Sequence, residues 1–458
     1  MVRGFKLKKN LLKEITSRKA TIAVVGLGYV GLPTAASFAS LGFRVIGIDI
    51  NQKIITQINE GSVKTKEKGL DQLIKSAHEK GLFSGSLLSQ ESLRKADVVI
   101  VCVQTPVDNN GNGNLSFLKK ACEDISQILK KGMLIVIQST VPPKTMKLMV
   151  VPVLEKSGLK CGLDFWLVYC PERMAPGSGI NDLATNTRLI GAYDSKSGLV
   201  GTELYRCINK GKLVVTDMSS AEISKLAENT FRYINIAFAN ELALICKCLN
   251  VDVFEVIKLA NTHPRVMIHQ PGCGAGGPCL SKDTHLLLDA INSSDYNADF
   301  LLAATRLNSN MPRYVVEIAA KALGTIGKKV ADSKIAVFGT AYKADVNDSR
   351  DSPAGGVVLE LKRRQAKIVT YDPNCDESFG EPKAKDLTEA VSGVDCLILT
   401  TNHKEFYELD LPKIKLMMGK NPIIVDTKRI INPAIARSCG FEYVTISGVL
   451  DDKKNSFD

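Results

Sequence analysis

A glycine-rich turn near the start of the chain constrains its fold more than any other feature. The segment TIAVV, from Thr21, is typical of a buried strand, and an apolar helical pattern follows the turn. Between them Gly26, Gly28 and Gly31 have the spacing G-x-G-x-x-G. Glycine at these positions allows a tight bend, close approach of a ligand and close packing of helix on strand. The pattern therefore predicts a strand, a helix and a second parallel strand.

An aspartate points to the ligand of this turn. Asp49 ends the next predicted strand, about twenty residues after the first glycine, where a carboxylate would bond the ribose hydroxyls of a dinucleotide. A carboxylate there would repel a 2′-phosphate, so we expect the cofactor to be NAD rather than NADP. A structural turn with an unrelated aspartate is the alternative. The expected contacts from this region are Gly26, Leu27, Gly28, Tyr29, Val30, Gly31 and Asp49.

The remaining pattern predicts three domains. Short apolar runs at 96–103 and 133–140 are typical of strands buried in a parallel sheet. A long helical segment starts at Ser219, where Ser219 and Glu222 form a predicted capping box. Four further strand-like runs start near Lys334, namely KIAVFGTAYK, AKIVTYDPN, VDCLILTT and NPIIVDTKR. We therefore expect an α/β protein with two Rossmann-like doubly wound domains, 1–215 and 326–458, joined by a long central helix within 216–325.

Composition excludes several classes of protein. The net charge of +11 is scattered, without a basic stripe and interleaved aromatic residues, so we expect no nucleic-acid partner. Twelve cysteines show no C-x-x-C pair, which favours reduced thiols, no metal site and a cytoplasmic protein. No run of eighteen apolar residues is present, so we expect no membrane partner.

One cysteine stands apart from the other eleven. Cys279 follows four glycines and Pro278 and directly precedes a predicted helix, where the helix N-terminus and Lys282 would favour a thiolate. Asp283 lies four residues further on, on the same helical face. A small buried hydrophobic residue is the alternative role for Cys279.

Two further clusters are candidates for chemistry. Lys225 and Asn229 project from one face of the long helix, with Arg232 near the same side. The segment YCPER ends a predicted strand with Glu172 and Arg173. The simpler interpretations are that Lys225 is a solvated lysine and that Glu172 and Arg173 form a surface ion pair.

Six segments together resemble the UDP-glucose/GDP-mannose dehydrogenase family over nearly the whole chain. They occur in that family's order and spacing: GLGYVGLP, STVPP, CPER, AEISKLAENTFRYINIAFANE, GAGGPCLSKD and GTAYKADVNDSRDSP. The resemblance implies that NAD binds to 1–215, that 216–325 carries the catalytic cysteine and a dimer interface, and that 326–458 binds a UDP-sugar. It implies a homodimer or a higher homo-oligomer.

The resemblance also implies residue roles. Cys279 would be the nucleophile that holds the C6 carbon of the sugar as a thiohemiacetal and then a thioester. Lys225 would act in acid–base chemistry and stabilise the oxyanion, and Asn229 and Asp283 would hold the oxyanion and the water network. Thr140 and Glu172 would order water and handle its protons. Further cofactor contacts are expected from Thr105, Thr140 and Arg350. Expected substrate contacts are Arg173, Met174, Lys225, Asn229, Arg232, His263, Arg265, Gly276, Tyr342, Lys343 and Arg429.

The predicted identity of the sugar depends on only a few residues. Arg173, His263 and Arg265 resemble the N-acetylhexosamine branch, which favours UDP-N-acetyl-D-mannosamine. Pro278 departs from that branch, whose bacterial members commonly have histidine before the nucleophile, so UDP-N-acetylglucosamine and UDP-glucose remain open. Two rival functions also remain open: a two-domain hydroxyacid dehydrogenase that performs one oxidation, and a non-catalytic sensor of nucleotide sugars or NAD.

Overall fold

The computed structural model of the chain describes residues 11–65, 67–108, 112–175, 177–291 and 295–447. The chain divides into two compact units. Unit 1 comprises residues 1–228 and 285–293, and unit 2 comprises residues 229–284 and 294–458. Each unit contains one β-sheet with hydrophobic cores on both faces.

Unit 1 is built on an eight-stranded sheet of order β3-β2-β1-β4-β5-β6-β7-β8. All neighbouring strands are parallel except β6 and β7, which pair antiparallel. The central strands are continuous apolar runs because both of their faces are covered by helices. The elements are α1 Leu11–Thr16, β1 Thr21–Val25, α2 Gly31–Ser40, β2 Arg44–Asp49, α3 Gln52–Asn59, α4 Leu70–Glu79, β3 Phe83–Leu87, α5 Gln90–Arg94, β4 Val98–Val101, α6 Ser116–Ser126, β5 Leu134–Ile137, α7 Val151–Glu155, β6 Trp166–Tyr169, α8 Gly179–Thr185, β7 Arg188–Ala192, α9 Ser195–Arg206 and β8 Leu213–Asp217.

Unit 2 contains a fully parallel five-stranded sheet of order β10-β9-β11-β12-β13. The four strands predicted here are present, and β13 is an additional strand. The long helix α10 and helix α12 each contribute residues to both units. The elements are α10 Met218–Leu249, α11 Val253–Ala260, α12 Leu280–Asp289, α13 Asp299–Thr325, β9 Lys334–Phe338, α14 Pro353–Arg363, β10 Lys367–Tyr371, α15 Leu387–Val391, β11 Cys396–Leu399, α16 Leu411–Met417, β12 Ile423–Asp426, α17 Pro433–Ser438 and β13 Glu442–Thr445.

This architecture confirms the expected fold class, namely two doubly wound α/β sheets and a long central helix. The predicted capping box at the start of that helix is wrong. The N–H of Ser220 donates instead to Asp217, at 2.9 Å. The Glu222 carboxylate is buried and accepts the N–H groups of Lys144 and Met146, each at 2.8 Å, because the turn after β5 leaves these donors unsatisfied.

Two of the predictions made from composition concern disulfide bonds and membrane-spanning helices. No disulfide joins any of the twelve cysteines, all of which lie in the described residues. Within those residues, no helix has the length and apolar character needed to cross a bilayer.

Candidate active site

The glycine turn after β1 lies where the strand order of unit 1 reverses, between β1 and β4. Gly26 has φ +90°, and a Cβ atom there would lie 2.7 Å from the carbonyl oxygen of Cys102. A Cβ atom on Gly31 would lie 1.8 Å from the carbonyl oxygen of Gly26. Gly28 has open space on the side where its Cβ would be. The turn is therefore closed toward the protein and open at Gly28, the shape that a pyrophosphate requires.

The carboxylate of Asp49 closes the same turn at its other side. Its Oδ2 accepts the N–H of Leu27 at 2.7 Å, and its Oδ1 accepts the N–H of Asn51 at 2.9 Å. Each oxygen has a second lone pair, and Asp49 is partly exposed. A ribose hydroxyl can use this second lone pair, so the residues present fit the adenosine half of NAD.

Two loops at the carboxyl ends of β4 and β5 are joined by side-chain hydrogen bonds. The hydroxyl of Thr105 donates to the carbonyl of Thr140 at 2.6 Å, and that of Ser139 donates to the carbonyl of Val103 at 2.6 Å. These bonds fix both threonines predicted at the cofactor site onto neighbouring loops. Parallel α/β sheets bind ligands at this edge.

Lys225 is buried rather than solvated. Its side chain is 7% exposed, and its Nζ lies 4.0 Å from Oε1 of Glu172. The other oxygen of Glu172 accepts the N–H of Met174 at 2.7 Å. The structure therefore brings together two of the predicted site residues as a largely buried, oppositely charged pair.

Arg173 makes contacts of its own within unit 1. Its guanidinium pairs with the carboxylate of Glu228 and donates to the carbonyl of Thr187 at 2.9 Å. The Arg173 guanidinium, which was predicted to contact the substrate, is therefore already engaged by two protein acceptors.

Cys279 occupies the position directly before α12 and is exposed. Its carbonyl accepts the N–H of Asp283 at 2.9 Å, the first hydrogen bond of that helix. The thiol therefore lies at the positive end of the helix dipole, which favours its thiolate form. Lys282 follows on the same turn, with its Nζ 3.8 Å from Oδ1 of Asp283.

Asn229 and Asp283 are brought together in unit 2. The side-chain amide of Asn229 donates to Oδ2 of Asp283 at 2.6 Å, and both side chains are buried. The predicted grouping of these two residues is therefore present as a direct contact. The bond aligns the amide and holds the carboxylate one helical turn after Cys279.

A cavity of 270 Å³ lies at the carboxyl ends of β9, β11 and β12. Tyr342, Lys343 and Lys428 are among its lining residues. Burial lowers the pKa of Lys428, so an anionic ligand that stabilised its charge would bind favourably here. The cavity lies where the order of this sheet reverses, which is a ligand-binding place in open α/β sheets.

Tyr342 and Arg350 belong to the loop that leads from β9 to α14. Burial raises the pKa of the Tyr342 hydroxyl, and the nearby Asp348 and Cys279 raise it further. Arg350 is bound by the carboxylate of Asp348, with distances of 2.9, 3.2 and 2.6 Å. This loop therefore adjoins the cysteine within unit 2.

Four other predicted substrate contacts lie in unit 2, and one of them, Arg232, is near enough to Tyr342 for its charge to lower the pKa of that hydroxyl. Arg232, His263 and Arg265 are exposed, and the N–H of Arg265 donates to Nδ1 of His263 at 3.3 Å. Arg429 pairs with Asp252 at 2.8 Å. None of these four described side chains lines the 270 Å³ cavity.

Family profiles match all three regions of the chain. The matches are to the NAD binding domain of the UDP-glucose/GDP-mannose dehydrogenase family at 20–209, its central domain at 219–310 and its UDP binding domain at 336–433. The chain belongs to the UDP-glucose/GDP-mannose dehydrogenase family. It is an NAD-dependent nucleotide-sugar dehydrogenase.

Relatives within this family cover almost the whole chain. The chain is 40% identical to a UDP-N-acetyl-D-mannosamine dehydrogenase of Methanocaldococcus jannaschii, over 95% of this chain and 97% of the relative. The solved UDP-D-ManNAc dehydrogenase of Pyrococcus horikoshii has a TM-score of 0.87 and 37% identity, with coverage of 93% and 99%. An NDP-N-acetyl-D-galactosaminuronic acid dehydrogenase of Methanosarcina mazei has a TM-score of 0.85 and 30% identity, with coverage of 95% and 98%.

Several residues that shape this dehydrogenase were not predicted from the sequence. Lys428 lines the cavity, and Glu228 engages Arg173. Asp372 follows β10 and accepts the N–H groups of Thr340 and Ala341, much as Asp49 accepts that of Leu27. The available signal was the correspondence between the two α/β halves, since a glycine turn followed by an aspartate after the next strand occurs in both.

Proposed function

We propose that the chain oxidises the C6 primary alcohol of UDP-N-acetyl-D-mannosamine to the carboxylate through a covalent bond to Cys279. The observation that carries the proposal is the exposed Cys279 at the N-terminus of α12, one helical turn before the buried Asn229–Asp283 pair. A thiol in this position suits covalent capture of an aldehyde. Covalent capture also prevents loss of the aldehyde between the two oxidations.

In the first oxidation the C6 hydroxyl loses a proton and the carbon loses a hydride. NAD, which the glycine turn and Asp49 would hold, would supply the acceptor for the hydride in each oxidation. We assign acceptance of the hydroxyl proton to Glu172 and stabilisation of the oxyanion to Lys225. The two side chains lie 4.0 Å apart and are largely buried.

In the second oxidation the Cys279 thiolate adds to the aldehyde carbon and gives a thiohemiacetal. Loss of a hydride and a proton from this adduct gives a thioester, and water then cleaves the C–S bond to release the acid and the thiol. We assign the second N–H of the Asn229 amide to the oxyanion, since the first is used by Asp283. We assign the positioning of this water to Thr140 and Glu172.

The nucleotide portion is assigned to residues 326–458, where Lys343 and Lys428 line the 270 Å³ cavity. Lysine ammonium groups pair with diphosphate oxygens, and Tyr342 offers an aromatic face to a base or ribose. NAD is assigned to 1–215, and the catalytic cysteine and the dimer interface to 216–325.

The identity of the sugar is inferred from the relatives rather than from Arg173, His263 and Arg265. Relatives named for UDP-N-acetyl-D-mannosamine are 39 and 40% identical over more than nine-tenths of this chain. Arg173 is bound by Glu228, which weakens its assignment as a substrate contact that distinguishes the sugar. UDP-N-acetylglucosamine and UDP-glucose are therefore the alternatives that a substrate panel must include.

We propose a homodimer that uses the exposed face of α10. Phe231, Phe238 and Ile245 are 66%, 49% and 45% exposed and are spaced by seven residues, so they form one apolar stripe along the helix. A second copy of the same stripe would cover it in a two-fold interface. The chemistry also requires a reduced Cys279, which favours the cytoplasm.

The test is a panel of UDP-sugars, read as NADH formed per sugar consumed. We expect two NADH per UDP-N-acetyl-D-mannosamine and slower turnover of UDP-N-acetylglucosamine and UDP-glucose. One NADH per sugar would contradict the four-electron reaction and favour a hydroxyacid-type dehydrogenase. Tight binding of NAD and sugar without NADH would indicate a sensor.

A further inference from the structure

A completely buried histidine lies in the loop after β11 of the C-terminal sheet, outside the residues assigned to the reaction. His403 follows β11 by four residues and is 0% exposed. Its Nδ1 accepts the N–H of Asp345 at 2.9 Å, and its Nε2 lies 3.0 Å from Oδ2 of Asp372. Because a backbone N–H only donates, Nδ1 is the acceptor and Nε2 carries the proton that binds Asp372.

Asp372 anchors this histidine to the start of the loop after β9. Its Oδ2 also accepts the N–H groups of Thr340 at 2.7 Å and Ala341 at 2.9 Å. Burial raises the pKa of Asp372, but the hydrogen bonds from His403 and Ala341 outweigh burial and bring the pKa below its ordinary value. Its Oδ1 accepts two more backbone N–H groups, those of Asn374 and Cys375, each at 2.8 Å. Asp372 is therefore an anion that holds four backbone donors and one imidazole.

The loop is held again five residues further on. Asp345 has φ +60°, a left-handed conformation that is uncommon for a residue with a side chain. Its N–H donates to His403, and its carboxylate accepts the N–H of Lys404 at 3.1 Å. This reciprocal pair stabilises the unusual backbone conformation, so the segment from Thr340 to Asp345 is fixed at both ends by His403 and Asp372.

The same loop shapes the glycine turn that precedes Cys279. The ring of Tyr342 lies against Gly277, where a Cβ atom would be 2.7 Å from Cε2 of the ring. Gly277 has φ +92°, and its N–H donates to the carbonyl of Asp351 at 3.3 Å. The backbone just before Cys279 therefore depends on the position of the loop.

We propose that His403, held by Asp372, is a positioning residue for Cys279 that acts through Asp345, Tyr342 and Gly277. The role in catalysis rests on the proposed function of Cys279, but the positioning itself does not. Loss of the histidine would release the loop, and the glycine turn would lose the ring and the carbonyl that support it.

A metal ion is the competing explanation for this cluster. Asp345, His403 and Glu405 each offer a ligand atom, and these atoms lie within 4.8 Å of one another. The Nδ1 atom that faces Asp345 already accepts its backbone N–H, so a cation would have to displace that hydrogen bond. His403, Asp372 and Asp345 therefore form a structural latch, meaning a set of hydrogen bonds that holds the loop after β9, and not a metal centre.

The test compares three full-length variants with the wild type by amide hydrogen exchange. His403→Phe removes the hydrogen bonds to Asp345 and Asp372, and a 3.2 Å contact with the Asn374 amide, and keeps a ring. His403→Asn keeps an acceptor near the Asp345 N–H. Asp395→Asn is the matched control, because Asp395 is a buried carboxylate at the opposite end of the same sheet, bound to Lys328 and the N–H of Lys334. Steady-state KM values for UDP-sugar and NAD are measured on each variant.

In His403→Phe we expect exchange about tenfold faster at both 340–345 and 274–279, the size expected for loss of a buried hydrogen bond. The KM for UDP-sugar should rise and kcat should fall, with an unchanged KM for NAD. His403→Asn should retain most of the protection at 340–345. Asp395→Asn should lower the melting temperature without affecting either segment.

Faster exchange at 340–345 alone would overturn the connection to Cys279, and unchanged exchange at both segments would overturn the latch. Protection of 340–345 that increases with Zn²⁺ or Mg²⁺ in the wild type, and not in His403→Phe, would overturn it in favour of a metal site. A Cys279→Ser variant that still forms two NADH per sugar would contradict the proposed function while leaving the exchange result intact.

Discussion

The side-chain amide of Asn229 donates a 2.6 Å hydrogen bond to the carboxylate of Asp283, and both groups are buried. The two residues are far apart in sequence and belong to different helices, α10 and α12. A buried carboxylate needs such a donor, because desolvation otherwise disfavours its charge. The contact therefore stabilises the fold at the same place where the oxyanion is proposed to form.

Asn229→Asp should be more damaging than a change of similar size elsewhere on α10. It would place two carboxylates in hydrogen-bond contact, and we expect the free energy of unfolding to fall by about 3 kcal/mol at pH 8. Part of this loss should return near pH 5, where the pair can share a proton. Urea unfolding at both pH values measures it, with Asn235→Asp, on the same helix and partly exposed, as the control. Equal losses in the two variants would contradict the pairing.

The glycine turn offers two substitutions with opposite expected effects. Gly28→Ala should keep the melting temperature, because nothing lies within 4 Å of the added Cβ, but should raise the KM for NAD by obstructing the pyrophosphate. Gly31→Ala should destabilise the domain, since its Cβ would lie 1.8 Å from the carbonyl oxygen of Gly26. Thermal unfolding and NAD kinetics separate the two effects. A normal KM for NAD in Gly28→Ala would argue against cofactor binding at this turn.

Cys279→Ser should abolish formation of the acid without affecting stability. The side chain is exposed, so its packing contributes little, whereas a serine hydroxyl is a far weaker nucleophile than a thiolate. We expect kcat for two-NADH turnover to fall by about a thousandfold or more. Cys248→Ser is the control, because Cys248 is also exposed. Full acid formation in the Cys279 variant would refute the covalent mechanism.

The pH dependence of stability should show the contribution of Asp372. Its folded pKa is lowered, so its stabilising contribution is present above the unfolded pKa of about 3.9 and is lost as the pH falls through the folded value. Asp372→Asn should therefore lower stability at neutral pH and flatten the decline in acid. Unfolding free energies from pH 7 to pH 2 measure this, and Asp376→Asn, at an exposed position, should preserve the wild-type slope. An unchanged slope in Asp372→Asn would contradict an anionic, hydrogen-bonded Asp372.

The fold could be predicted because its signals are local. The runs at β4 and β5 are apolar throughout, which indicates burial on both faces, and Gly26 and Asp49 belong to one strand-helix-strand unit. The antiparallel pairing of β6 and β7 could not be predicted, since it depends on how the chain returns between those strands.

The site was predictable only in part. Cys279 directly precedes the helix that carries Asp283, so their relation follows from spacing, and the resemblance to the dehydrogenase family grouped Asn229 with them. Glu222 did not cap its own helix, because the backbone donors that it binds belong to a turn distant in sequence. Asp372 and His403 are 31 residues apart and come together only because the strands before them flank β9 in the sheet.

The burial of Asp372 has a consequence for cofactor stoichiometry. In the first sheet the corresponding acid, Asp49, is partly exposed and retains lone pairs for a ribose. In the second sheet the Asp372 carboxylate is 5% exposed and already accepts Thr340, Ala341 and His403. The C-terminal half thus has the architecture of a dinucleotide domain in which the corresponding carboxylate, that of Asp372, is closed to a ribose. A chain built from two similar halves therefore avoids competition between them for the same cofactor and is expected to bind a single NAD.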